Sequence, residues 1–410
     1  MHIRENEQTS PQKLHRGRLR SDSAVYGQVF VLLALMAPLE PCGSYPAIPA
    51  TGRLANTPIS TTVDSELAKE YLAISSNSSA GRESAAEGIA PIEDRFRGRP
   101  LDWLTLKKLS KATSPDFATV YFVKRCLADH TNELFQTGYA KEFQRIESLI
   151  RQGNWAGTVR NSLREYEFLF LPGFHYVTDP TSGADFLTQR TLMRELGINV
   201  HLAATQEDGT IEENAKIVAQ TIRSESRYHP KLILVSTSKS GPETALALGK
   251  ILGPDETISV RAWISVGGLI HGTPLADRAM ALPQSWIIPL IFSLQKVSFR
   301  SVPDLTTRAS RARTESIRLP QHILVVEYVA APLSGDIAED VGARYRYLRK
   351  YGPNDGLALL ADELIPGGVT IIEPGVDHFY RDPEINVKSL AIANVVADAL
   401  NDRFSASSHK

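Results

Sequence analysis

The sequence predicts an α/β fold: a mostly parallel sheet with helices on both faces, preceded by a helical N-terminal segment. Two observations carry this. Beyond Tyr166, short apolar runs alternate with stretches of helical periodicity, and between about residues 96 and 165 apolar residues recur at three- and four-residue spacing. The 410 residues, 42% hydrophobic and 8% aromatic, supply enough apolar material for a large core. A formal net charge of -1 gives no basic field to attract nucleic acid, and no nucleic-acid partner is expected.

Residues 1–42 read as a signal or membrane-targeting segment. A net basic lead, "RENEQTSPQKLHRGRLRSDS", precedes the apolar "AVYGQVFVLLALMAPL", which is short for a bilayer crossing at about 20 residues and is broken by Pro38. Export to a periplasmic, secreted or membrane-associated location is the expectation, with a cytoplasmic location the alternative. Only Cys42 and Cys126 are present, so no cysteine-based zinc motif can form. Residues 43–95 are rich in Ser, Ala, Thr, Pro and Gly and read as a flexible linker with a short helix at "DSELAKEYLA".

Residues 96–165 read as a helical subdomain through "PLDWLTLKKLS", "FATVYFVKRCLADHTNELFQTGYAKEFQRIESLIRQG" and "WAGTVRNSLREY". Residues 166–405 then form the sheet domain. Its strands are read at "EFLFLPG", "INVHLAAT", "KLILVS", "ISVRAWISV", "HILVVEYVA" and "GVTIIEPG", with helices between them, and this alternation implies crossovers and a parallel sheet. In that architecture ligands collect beyond the carboxyl ends of the strands.

The stretch "LILVSTSKSGPETALAL" admits two readings. Ser236 to Lys239 spells S-x-x-K, as in penicillin-recognising enzymes, but no S-D-N occurs and the only K-S-G overlaps the first motif. Alternatively, "KLILV" is a strand, "STSKSG" a tight turn, and "PETALALGKIL" a helix opened by a proline suited to its first turn. Ser238 then sits at the centre of a nucleophile elbow, G-x-S-x-G, in which Ser236 and Ser240 replace both outer glycines. The elbow lifts a hydroxyl clear of the sheet and points the next backbone N–H into the same space.

Such a serine needs an acid and then a histidine later in the chain. His378 follows the final strand on a loop, where an imidazole can take the serine's proton near neutral pH, whereas His322 and His271 are less well placed. The acid should follow the penultimate strand. Asp355, in the turn "GPNDGL", is the preferred candidate, with Asp336, Asp340, Asp362 and Glu363 left open. Oxyanion donors are expected from the Lys239 N–H and, through the loop "LPGF", the Phe174 N–H. His175 is expected to line the entrance.

Together the elbow "VSTSKSG", the early "LPGF", the segment "ISVGGLIHGTPLAD", "GPNDGL" and the terminal "DHF" resemble the α/β-hydrolase superfamily, in particular its lipase, esterase and GPI-deacylase-like members. The resemblance covers about residues 166–400. It implies Ser238 as nucleophile, His378 as base and then acid, and Asp355 as the orienting acid, with no cofactor and no metal. The apolar "LPQSWIIPLIFSLQKVSF", within 273–318, reads as a lid over an acyl pocket, which favours a lipid or other acyl-ester substrate and is compatible with contact at a membrane surface. His175, His271, Trp286 and Leu290 are the expected substrate-contacting residues. The leading expectation is a carboxylic-ester hydrolase, with thioesterase or amidase activity as variants. A noncatalytic binding or scaffold protein of the same fold is the alternative.

Overall fold

The computed structural model describes residues 45–75, 82–281 and 299–407. Six strands form one sheet: β3 (Glu167–Leu171), β4 (Asn199–Leu202), β5 (Leu232–Thr237), β6 (Val260–Val266), β7 (Leu324–Ala331) and β8 (Val369–Pro374). Their order is β4-β3-β5-β6-β7-β8, and every neighbouring pair is parallel. All six apolar runs are therefore strands, and the expected α/β class is the observed one.

The strands face apolar layers on both sides, which explains their continuous hydrophobicity. Leu169 and Leu171 point into a core shared with the helix Ile211–Glu225, while Phe168 and Phe170 point into the opposite core, shared with His130–Arg151 and Ile385–Ser407. Sequence order reverses at β3. The chain leaves it outward to β4 and returns on its other flank as β5, so the connections after β3 and β5 diverge and open a crevice at the strands' carboxyl ends.

The free edge of β8 is covered by side chains. From the helix His130–Arg151, Gln136 Oε1 accepts the Ile372 N–H at 2.8 Å, its Nε2 donates to the Ile372 carbonyl at 3.1 Å, and Asn132 Oδ1 accepts the Thr370 N–H at 2.8 Å. Positions 132 and 136 lie one turn apart, so a single helix face satisfies alternate residues of the strand. The expected helices of 96–165 are present at Trp103–Ala112, Pro115–Cys126 and His130–Arg151; the first two share a core built mostly from residues 50–126 and joined by Val329, Ala331, Leu333 and Ile372 of the sheet domain, and the third packs into a core of the sheet.

The linker expected at 43–95 is instead structured. Strands β1 (Ile48–Leu54) and β2 (Thr57–Val63) pair as an antiparallel hairpin through Ala55 and Asn56, both with positive φ (48° and 66°), and helices follow at Glu66–Ile74 and Arg82–Phe96. The turn lacks the glycine that usually marks such a hairpin, and the strands carry many small polar residues. What orders them is burial: Ala50, Leu54 and Val63 pack with Val329, Leu333 and Ile372 of the sheet domain.

A carboxylate locks this layer down. Buried Asp116 accepts from the Asp64 N–H at 2.8 Å, the Ser334 N–H at 3.0 Å and hydroxyl at 2.6 Å, and the Tyr345 hydroxyl at 3.1 Å. Within the lid-like insertion expected at about 273–318, helices Pro274–Met280 and Thr307–Glu315 form. The targeting segment 1–42, with Cys42, and residues 282–298, with Trp286 and Leu290, lie outside the described residues.

Candidate active site

Ser238 occupies the corner between β5 and the helix Ser240–Leu246 with φ of +52°, a left-handed conformation that a non-glycine residue adopts only when its surroundings enforce it. The enforcement is visible. The Ser238 N–H donates to the Val266 carbonyl at 3.1 Å, and its own carbonyl accepts from Gly241 at 3.1 Å and Leu269 at 3.0 Å.

The two outer serines of the motif are fully occupied. Ser236 Oγ accepts the Trp263 indole N–H at 2.8 Å, joining β5 to β6 inside the core. Ser240 Oγ accepts the Thr237 N–H at 2.8 Å and lies 2.7 Å from the Leu171 carbonyl and 2.9 Å from that of Thr237, stitching the corner to the end of β3. Neither hydroxyl is free to act as a nucleophile, and both hold the shape that presents Ser238.

His378 Nε2 lies 3.2 Å from Ser238 Oγ, and its Nδ1 lies 2.5 Å from Asp355 Oδ2. Asp355 is fully buried and committed: Oδ1 accepts from the Leu357 and Ala358 N–H groups at 2.8 and 2.6 Å, and its carbonyl accepts the His378 N–H at 2.9 Å. The loops after β7 and β8 are thus tied together by backbone as well as side chain. Asp377 steadies the second by accepting the Phe379 N–H at 3.0 Å and the Ala338 N–H at 3.2 Å.

The other acids left open are engaged elsewhere. Asp336 accepts from the Leu333 N–H, Asp340 pairs with Arg381 and Asp362 pairs with Arg311, whereas the Glu363 carboxyl is buried and, among the described residues, makes no hydrogen bond to His378 or to any other group. His322 bonds the Thr257 carbonyl at 2.9 Å.

Gly267, which the sequence reading did not single out, makes room for the imidazole. A Cβ there would meet His378 Cε1 at 3.3 Å, and its φ of +53° suits glycine. The signal was the Gly-Gly pair directly after β6. Tyr380 flanks the same ring, its hydroxyl donating to the Tyr328 carbonyl at 2.5 Å.

Lys239 and Phe174 line the cavity with Ser238, and neither backbone N–H has a hydrogen-bond partner among the described residues. Gly173 lets the β3 loop close on the end of β5, since a Cβ there would already stand 3.1 Å from Thr237 Cγ2. The Lys239 side chain turns away into the core, where its Nζ pairs with Glu243 Oε1 at 2.7 Å, and Asn214 donates to the same oxygen at 2.8 Å. Burial pushes the Glu243 carboxyl up to about 7 against the opposing pull of Lys239 and Asn214. The lysine amine is therefore structural rather than a base.

The cavity in front of Ser238 holds about 360 Å³ and is walled mostly by apolar groups, among them Phe170, Phe186, Val235, Leu269 and Ile392. Phe168 also lines it, so the cavity reaches inward past Phe170 along β3. His175 lies on its wall with φ of +57°, and burial pulls its imidazole below the ordinary range. His271, expected among the substrate contacts, is not there. Its N–H and Nδ1 both face the Asp362 carbonyl, and the ring borders a second cleft with Trp103 and Arg311. The turn after Leu269 directs it away from the corner at Ser238.

No family model matches the chain, and no curated protein matches it. Among solved structures it is similar to a metagenomic carboxyl esterase (20% identity over 60% of this chain and 77% of that one, TM-score 0.47). It is also similar to the mature Bacillus licheniformis lipase BlEst2 (20%, over 59% and 94%, TM-score 0.46) and to Staphylococcus hyicus lipase (13%, over 60% and 95%, TM-score 0.43). The neighbours are thus lipases and esterases of the α/β-hydrolase fold. For this chain, the fold rests on its own sheet order and on the corner at Ser238.

Proposed function

We propose that the protein is a serine hydrolase of carboxylic esters whose acyl group enters the apolar cavity. The carrying observation is the chain of contacts from Ser238 Oγ to His378 Nε2 and from His378 Nδ1 to Asp355, at a left-handed corner opening into that cavity. Ser238 Oγ attacks the ester carbonyl while His378 Nε2 takes its proton, and Asp355 holds the tautomer that leaves Nε2 free to do so. The Lys239 and Phe174 N–H groups receive the developing oxyanion. His378 then returns the proton to the departing alcohol, and a water activated by the same imidazole hydrolyses the acyl-Ser238 ester.

Among the described residues no helix is long and apolar enough to cross a membrane. Apolar lining favours an acyl chain over a polar one. We take export from residues 1–42 as part of the proposal; N-terminal sequencing of the protein recovered outside the cytoplasm tests it.

Labelling with a fluorophosphonate, read by peptide mass spectrometry, tests the chemistry. Ser238 should carry the label, and His378→Ala should abolish it. Asp355→Asn should lower kcat on an activated ester by about 10⁴-fold. A folded protein that takes no label at Ser238 and hydrolyses no acyl ester would instead be the noncatalytic binding protein of this fold.

A further inference from the structure

At the opposite end of the sheet from Ser238, side chains with unused lone pairs converge. Glu167 opens β3, His201 lies on the adjoining β4, and Glu225 ends the helix Ile211–Glu225. One donor atom from each lies within 4.8 Å of the other two, with His201 Nε2 3.9 Å from Glu225 Oε1. His229, one turn beyond Glu225, brings its Nδ1 to 3.7 Å from Glu167 Oε2. None of these four side chains makes a hydrogen bond of normal geometry among the described residues, although Glu167 is buried.

We propose that Glu167, His201 and Glu225, with His229 as fourth ligand, bind one divalent transition metal of the zinc type. Two imidazole nitrogens and two carboxylate oxygens suit zinc, whereas calcium and magnesium take oxygen ligands. A tetrahedral ion with bonds of about 2.0–2.2 Å sets neighbouring ligands about 3.3–3.6 Å apart, so Glu167, His201 and Glu225, now within 4.8 Å of one another, would draw in by up to about 1.5 Å, and His229, 3.7 Å from Glu167, would turn toward the other two. The two carboxylates would neutralise the dication. The ion would pin the start of β3 to β4 and to the turn before β5, remote from the ester chemistry. Its role is to hold the sheet together.

Tag-free full-length protein, stripped with a chelator, is titrated with Zn²⁺ by calorimetry, with Ca²⁺ in parallel, and its Tm is followed in each case. One Zn²⁺ per chain should bind and raise the Tm, and Ca²⁺ should do neither. His201→Ala, at a half-exposed position, and His201→Ala/His229→Ala should each weaken Zn²⁺ binding by at least about 10-fold without changing fluorophosphonate labelling of Ser238. Co²⁺ should give the visible bands of a tetrahedral N/O site, lost in the double variant. Absence of stoichiometric Zn²⁺ binding, equal binding of Ca²⁺, or unchanged affinity in the double variant would overturn the proposal.

Discussion

At Ser236 and Ser240 the chain carries hydroxyls where an elbow of this kind usually carries glycine, and each hydroxyl has a defined partner. Removing the Ser236 hydroxyl would leave the Trp263 indole N–H buried without an acceptor. Ser236→Ala should therefore cost about 1–3 kcal/mol in denaturant unfolding while Ser238 is still labelled; loss of labelling without loss of stability would mean that Ser236, not Ser238, reacts. Gly267 makes the complementary case. Gly267→Ala combines a left-handed backbone with contact against the His378 imidazole, and should lower kcat by about 10- to 100-fold through displacement of that ring. An unchanged kcat would mean that His378 tolerates movement or is not the base. Residue types named both the hydroxyl and its imidazole in the sequence, because their chemistry is rare. The glycine that makes room for them was legible only as a dipeptide after a strand.

Individual elements follow the same division. Strands β3 to β8 announce themselves as apolar runs because both faces are covered, and the helices between them by their periodicity. The hairpin β1–β2 does not announce itself, since its small polar residues gain order only from the surface they meet. Nor does the role of the helix His130–Arg151, whose Gln136 and Asn132 read as ordinary polar surface until β8 is placed beside them. Gln136→Leu keeps the side-chain volume but strands the Ile372 N–H. It should destabilise the fold by about 1–3 kcal/mol, measured by denaturant titration, with labelling of Ser238 retained in the folded fraction. A stability equal to that of the unmodified protein would show that water satisfies the edge instead.

For the whole molecule, several carboxyl groups share one environment. Burial is the first cause that lifts each of Asp116, Glu243, Glu327 and Asp362 to about 7. In the unfolded chain these groups titrate near about 4, so between about pH 4 and 7 the native state holds protons that the unfolded state has released. Their contribution to stability is complete below that window and is lost as pH rises through it. Glu142 acts oppositely: against burial, its bonds to Arg145 and Arg160 hold its carboxyl below the usual range, a contribution lost in acid. The Tm should accordingly be higher at pH 5.5 than at pH 8, followed by circular dichroism at constant ionic strength. A Tm that rises across this interval would contradict the buried protonated carboxyls.

The sequence by itself determined the α/β class and the six sheet strands, because these depend on local apolar pattern, and it named Ser238, Asp355 and His378 as candidates from residue type and place after a strand. Sheet order, the choice of Asp355 among five acids, the removal of His271 from the site and the occupation of Ser236 and Ser240 were decided only in three dimensions. The physical reason is that each depends on which distant groups share a space a few ångströms across. Asp355 and His378 are neighbours because β7 and β8 end side by side, and Ser238 meets them because β5 ends on the same side of the sheet.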